Sequence, residues 1–229
     1  MIADLNPYPE YTDSGMPWIG TVPAHWRSVP LRQFAQFRSG GTPSKLVDAY
    51  WRGTIPWLSP KDFGGASISD TRDHITAQAV ASSNTSIRSA GEVFIVARSG
   101  ILKHTIPVSI SRVSMAINQD IKAVSVDAAQ CVSDFLLRWI QGNNNVLLKL
   151  WIKRGTTVES LEHRYVTSTL VPLPPSTNKP PSSASSTGPP AASTAPSAPS
   201  ARSSPSSANR SRPSSTAPSP AASTPLCPW

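Results

Sequence analysis

From Ser176 to Trp229, 44 of 54 residues are Pro, Ser, Ala or Thr, and 12 of the chain's 24 prolines lie there. Such a segment carries too little apolar surface to offset the entropy of ordering it. What folds must therefore lie in about residues 1–175, the size of one domain. Residues 176–229 are predicted to be a disordered tail. Its residue types are also those that GC-rich codons yield out of frame, so a frameshift product and a flexible linker both fit it.

Charge discriminates little. The formal net charge is +8; the tail holds four of the 21 basic residues and none of the 13 acids, leaving a net +4 elsewhere. That mild excess suits DNA and suits an ordinary domain equally. Cys131 and Cys227 have no metal-ligand spacing and sit in unlike regions, so a disulfide framework is not expected and a cytoplasmic setting is. The start, MIADLNPYPEY, lacks the basic and apolar regions of a secretory signal. No run reaches the roughly 18 apolar residues that span a membrane.

Residues 1–27 are rich in Pro and aromatics and read as an extended arm laid on the domain that follows, residues 28–175. His25 has no partner in sequence and reads as a packed ring. Val29 to Phe37 reads as one strand, stopped by Gly40-Gly41. Ile55 to Ser59 is a second strand, and Ala66 to Ile75 a polar connection. Thr76 is placed to cap a short helix from Ala77. Val93 to Ala97 is a buried strand, with more strands at Thr105–Ile110, Ser114–Ile117 and Ile121–Val126. Val132, Phe135, Leu136, Trp139 and Ile140 fall at helical spacing, behind a capping-box-like Asp127 and Gln130 and before Gly142. Val146 to Ile152 continues as helix, and Thr157 is expected to cap a short helix through Leu161. Leu170 to Pro175 closes the domain as a strand. The expected fold class is α/β of α+β character: a β-rich core with a few helices.

The densest stretch is Ser39 to Asp62, SGGTPSKLVDAYWRGTIPWLSPKD. Gly40-Gly41 is expected to supply positive φ. Trp51 and Trp57 are apolar anchors with a polar edge. Lys45, Arg52 and Lys61 lie between them, and interleaved basic and aromatic residues on loops are one signature of a nucleic-acid surface.

Gly41-Thr42-Pro43-Ser44, then Tyr50-Trp51-x-Gly53-x-Ile55-Pro56-Trp57-Leu58-Ser59, resembles the opening of a target recognition domain in type I restriction-modification specificity subunits. Trp18-Ile19-Gly20-x-x-Pro23-x-His25-Trp26, Arg98-x-Gly100, Asn118-Gln119-Asp120, Gly155-Thr156-Thr157 and Val171-Pro172-Leu173-Pro174-Pro175 resemble that family in the same order. The resemblance covers about residues 8–175. It implies a domain that recognises a half-site of double-stranded DNA and does no chemistry, with cleavage and methyl transfer carried by separate restriction and methyltransferase subunits. It implies neither cofactor nor metal. The family continues with a long helix after the Pro-Pro. Ser176-Thr177-Asn178-Lys179 departs from that pattern, which puts assembly with those subunits in question.

Two other function classes fit parts of the sequence. Asp120-x-Lys122, with Glu92 as second carboxylate, has the spacing of metal-dependent nucleases. A non-enzymatic interaction or scaffold protein would use the flexible tail. No Walker loop or hydrolase elbow is present. Phosphate contacts draw on Lys, Arg, Ser, Thr or backbone N–H on loops, and base reading on Arg, Lys, Asn or Gln reaching a groove edge. Lys45, Arg52, Lys61, Arg98, Lys103, His104, Asn118, Gln119, Arg154, Thr156 and Thr157 qualify by type and placement.

Overall fold

Tyr11–Asp13 (β1) and Thr21–Pro23 (β2) pair antiparallel, so the expected arm contains a hairpin. These positions come from a computed structural model that describes residues 8–153, 155 and 157–175. The tail and its predicted disorder lie outside the described residues. The ring of His25 stands 4.9 Å from that of Tyr8, on the exposed side of the hairpin.

The strand expected over Val29–Phe37 is interrupted. Arg27–Pro30 (β3) gives way to one helical turn, Leu31–Phe34 (α1), and then to Ala35–Ser39 (β4). Leu31 and Phe34 lie three apart, so a single turn buries both on one side. The turn also moves the chain from one sheet to another.

Ile55–Leu58 (β5) forms as expected. The expected polar connection conceals two strands, Ser67–Ile68 (β6) and Asp73–Ile75 (β7). Both are too short and polar to show a periodicity. Thr76 caps Ala77–Ala81 (α2), its Oγ1 accepting from the Ala79 N–H at 3.2 Å. Ile87–Arg88 (β8), Val93–Val96 (β9), Val108–Ser111 (β10), Met115–Ile117 (β11) and Ile121–Val126 (β12) follow.

These strands form two main sheets. One has the order β4-β12-β9-β10-β6, the other β7-β5-β11-β8. Each mixes antiparallel pairs with one parallel pair, β10 with β6 and β11 with β5. Alternation along the strands shows how they stack. In β9, Val93 and Ile95 join the largest apolar cluster, while Phe94 joins Leu58, Met115 and Ile117 between the sheets. In β11, Met115 and Ile117 face that inner layer; Ala116 faces outward onto Trp57, Ile75 and Ala79 of α2. Burying each large apolar side chain contributes about 1.5–3 kcal/mol.

The helices Ser133–Gly142 (α3) and Asn144–Trp151 (α4) cover the outer face of the five-stranded sheet. The expected stripe is present, with Leu136, Leu137, Trp139 and Ile140 buried. Asp127 does not cap α3. It holds a turn one step earlier, accepting from the Ala129 N–H and from Gln130 Nε2, both at 2.9 Å. The side chain of Asn144 clamps Ile106, accepting from its N–H at 3.0 Å and donating to its carbonyl at 2.8 Å.

The helix expected over Thr157–Leu161 is absent. Ser160 and Leu161 bridge to Arg98 and Ile152, so their backbone groups are spent on strand edges. The helix forms later, at His163–Ser168 (α5). Leu170–Leu173 (β13) then returns antiparallel to β3, with Leu173 opposite Arg27.

Gly40 and Gly41 do not take positive φ; Gly15, Gly20, Gly91 and Gly155 do. A Cβ on Gly40 would sit 1.7 Å from the Ile117 carbonyl oxygen, and one on Gly41 2.8 Å from the Asn84 backbone. Gly53 is equally tight, 1.9 Å from the Ile75 carbonyl oxygen. These glycines permit backbones to touch, which is what docks the Ser39–Asp62 stretch onto the four-stranded sheet.

Candidate nucleic-acid interface

The stretch is braced from within. Trp57 Nε1 donates to the Gly41 carbonyl and Trp51 Nε1 to the Ser44 carbonyl, both at 3.1 Å. The two rings meet edge to face at 5.0 Å. Ser59 and Asp62 close a capping box on the turn Pro60–Asp62, with Asp62 Oδ2 accepting from the Ser59 N–H at 2.9 Å and hydroxyl at 2.8 Å. The tryptophans are therefore anchors. Lys45, Leu46 and Asp48 are left exposed on the same stretch.

Beside these anchors runs an open groove of about 950 Å³, lined by Thr42, Lys45, Asp48, Trp51, Trp57, Ser59, Pro60, Lys61, Asp73, Ser99, Ile101 and Asn118–Asp120. A second cleft of about 680 Å³, lined by Gly40–Thr42, Ser44, Ala81–Asn84 and Gln119, adjoins it. Thr42 and Gln119 border both, the Thr42 hydroxyl donating to Gln119 Oε1. The groove is not simply basic. Lys45 and Lys61 face Asp48, Asp73 and Asp120, and Lys61 pairs with Asp73 at 2.7 Å. Carboxylates accept from exocyclic amino groups, and ammonium groups bind phosphates. The second cleft offers hydroxyls, amides and backbone, with no carboxylate.

The expected site residues divide into groups. Lys45, Lys61, Asn118 and Gln119 line the groove together. Asn118 is buried, and its Oδ1 accepts from the Asp120 N–H at 2.9 Å, so it shapes the turn. Arg98, Lys103 and His104 follow around the adjoining turn Gly100–Lys103, all exposed. Lys103 pairs with Glu159 at 3.7 Å, and the Ser99 N–H donates to the Glu159 carbonyl, which brings the loop of Thr157 to the same turn. Arg52 is exposed behind the turn Asp48–Trp51 and lines neither cleft. Arg154 and Thr156 lie outside the described residues. Sequence reasoning missed Thr42, Asp48, Asp73, Ser99 and Asp120. Thr42, Ser99 and Asp120 lie inside quoted motifs but were not singled out as contacts, and no motif pointed to Asp73.

The nuclease reading fails on geometry. The Asp120 carbonyl accepts from Ala97 N–H at 2.7 Å, whereas Glu92 precedes the other end of β9. The backbones of the two residues thus lie at opposite ends of β9, roughly 16 Å apart at ~3.3 Å per residue. Glu92 is buried in a two-point pair with Arg88 at 2.9 and 3.1 Å, and Lys122 Nζ donates to Ser39 Oγ. Among the described residues no group of His, Cys, Asp and Glu is placed to hold a metal ion. No described helix is long and apolar enough to cross a membrane.

On the outer edge, Asp70 Oδ1 accepts from the Thr71 N–H at 2.9 Å and meets His74 Nε2 at 2.8 Å. The backbone hydrogen bond first, then the imidazole, hold the Asp70 carboxyl below the usual carboxylate range.

Residues 23–179 match the family model for the type I restriction modification DNA specificity domain. Over 150 residues the chain is 33% identical to the type I restriction enzyme EcoR124I/EcoR124II specificity subunit of Escherichia coli, covering 65% of this chain and 36% of that protein. Over 86 residues it is 31% identical to the MjaIX specificity subunit of Methanocaldococcus jannaschii, covering 36% and 20%. Among solved structures, the HsdS subunit from Thermoanaerobacter tengcongensis shares the fold at a TM-score of 0.51 and 16% identity, over 72% of this chain and 36% of that one. A chain from a study of complex assembly and conformational transition in the type I R-M system does so at a TM-score of 0.52 and 18% identity, over 67% and 35%. The chain thus spans 36% and 20% of the lengths of these two curated relatives.

Proposed function

The chain belongs to the type I restriction modification DNA specificity domain family, and from that premise we propose that its folded body recognises one half-site of double-stranded DNA and does no chemistry of its own. In this reading it is the specificity component of a type I restriction-modification complex. Methyl transfer and cleavage belong to partner methyltransferase and restriction subunits.

The observation that carries the reading is the groove itself. Lysines, carboxylates, a glutamine and a threonine hydroxyl converge there from loops far apart in sequence. A surface that mixes donors and acceptors can discriminate base edges, where a uniformly basic one only holds the backbone. Gln119, Asp48 and Asp120 are the base-reading candidates, with Asn118 positioning the turn. Lys45, Lys61, Arg98, Lys103, His104 and Thr157 are the phosphate candidates around the rim. Arg52, Arg154 and Thr156 extend that proposal by residue type.

Selection by the full chain from a random duplex pool tests it. A short common motif should be enriched, and binding to it should weaken steeply with salt as phosphate contacts release counterions. Lys45→Ala and Lys61→Ala should each lower the salt slope by about 1. Enrichment of no motif overturns the reading, as does Mg²⁺-dependent cleavage abolished by Asp120→Ala.

A further inference from the structure

Leu46 stands at the tip of the loop Ser44–Val47, on the rim of the groove, and 96% of its surface is exposed. Among the described residues the next most exposed large apolar side chain, Tyr11, is at 51%. Val47 beside it is exposed too, and neither joins any of the three apolar clusters. Nothing in the described fold calls for a leucine there.

The loop is held as if to present it. The Leu46 N–H donates to Ser44 Oγ at 3.3 Å, and the Tyr50 N–H to the Val47 carbonyl at 2.9 Å. Trp51 Nε1 grips the Ser44 carbonyl, and the Tyr50 carbonyl accepts from the Thr76 N–H at 3.0 Å. The base of the loop is therefore tied to the start of α2, while its apolar tip is left in water. Lys45, immediately before the tip, and Asp48, just after it, both line the groove.

We propose that Leu46 is a wedge that enters the stack of the bound duplex between adjacent base pairs. This rests on the DNA-recognition reading above and adds deformation of the DNA to it. A protein-docking patch needs roughly 800 Å² per partner, far more than one leucine and a half-exposed valine offer. A base step accepts a single apolar side chain, and such wedges unstack it and kink the duplex. Lys45 is adjacent to neutralise phosphate as the wedge enters. Because kinking is easiest at flexible pyrimidine–purine steps, the wedge also selects sequence without a hydrogen bond to any base.

The test uses the full chain and a duplex selected from the random pool, with 2-aminopurine placed at successive positions. The wild-type chain should raise its fluorescence at one step. Leu46→Ala should abolish that rise and weaken binding roughly tenfold, with the salt slope unchanged because no ion is displaced. Leu46→Met should keep both. Leu46→Lys should steepen the salt slope without restoring the fluorescence. Since Leu46 packs against nothing, all three variants should melt with the wild type. If the wild type binds but no step brightens, or Leu46→Ala behaves as wild type, the wedge is overturned and the recognition reading stands. If no duplex is selected at all, the recognition reading fails and the wedge with it.

Discussion

Thr42 and Gln119, 77 positions apart in sequence, are joined by a hydrogen bond from the threonine hydroxyl to Gln119 Oε1. The bond spans the boundary between the two clefts and fixes the direction of an otherwise exposed amide. Thr42→Val should cost under about 1 kcal/mol of stability, since the pair is solvent-exposed. It should still broaden the motif enriched in duplex selection, because Gln119 is no longer aimed. A thermal melt and a repeated selection check the two halves of that statement.

The glycines of the stretch should not tolerate a methyl group. Gly40→Ala and Gly53→Ala drive a Cβ to 1.7 and 1.9 Å of a carbonyl oxygen. Each is expected to cost about 1–3 kcal/mol or more. Gly64→Ala, with nothing within 4 Å, should be neutral. Urea unfolding of the three variants separates them. Equal midpoints would contradict the close-approach account.

Two buried tryptophans should respond differently to the same change. Trp151 donates from Nε1 to Thr169 Oγ1 at 2.7 Å, whereas the buried Nε1 of Trp139 has no hydrogen-bond partner. Either Trp→Ala should cost about 3–5 kcal/mol. Trp→Phe at Trp151 adds the loss of a hydrogen bond, about 0.5–1.5 kcal/mol. At Trp139 it removes an unsatisfied donor and should cost less. Chemical denaturation of the two Phe variants reads the difference.

Asp70 gives a pH dependence with a definite sign. Its folded pKa is depressed, so its stabilising contribution is present above the unfolded carboxylate value and is lost as pH falls through the folded one. Asp70→Asn should flatten that acid-side loss and leave neutral-pH binding unchanged. NMR titration of the carboxyl locates the transition. A midpoint at or above the ordinary aspartate value would contradict the assignment.

Long periodic segments were legible without coordinates. β12 and α3 carry runs whose period specifies the element, and β9 a short apolar run bounded by turn signals. The two-residue strands β6 and β8 carry no period; they exist because β10 and β11 offer them an edge. The helical turn at Leu31 was hidden by residues that also suit a strand. The site was half legible for a related reason. Lys45, Lys61 and Gln119 announce themselves by type and motif. Asp48, Asp73 and Asp120 argue against a nucleic-acid surface until the fold sets them beside lysines and a base-sized groove. Arg52 shows the converse: a basic residue in the densest motif that projects elsewhere.

The ribbon of β3 and β13 has a consequence for how such bodies are joined into longer chains. Arg27 and Leu173 are opposite one another, so the stretch they bound begins and ends about one strand spacing, ~5 Å, apart, with the β1–β2 hairpin before it and Met16 adding to its core. A body whose two ends emerge side by side can be inserted at a single point of a host scaffold without altering the separation of the flanking segments. Another body that ends on the same kind of ribbon fits the same junction. On the proposed reading, replacing the stretch between these two strands would change the groove while the junction kept its spacing.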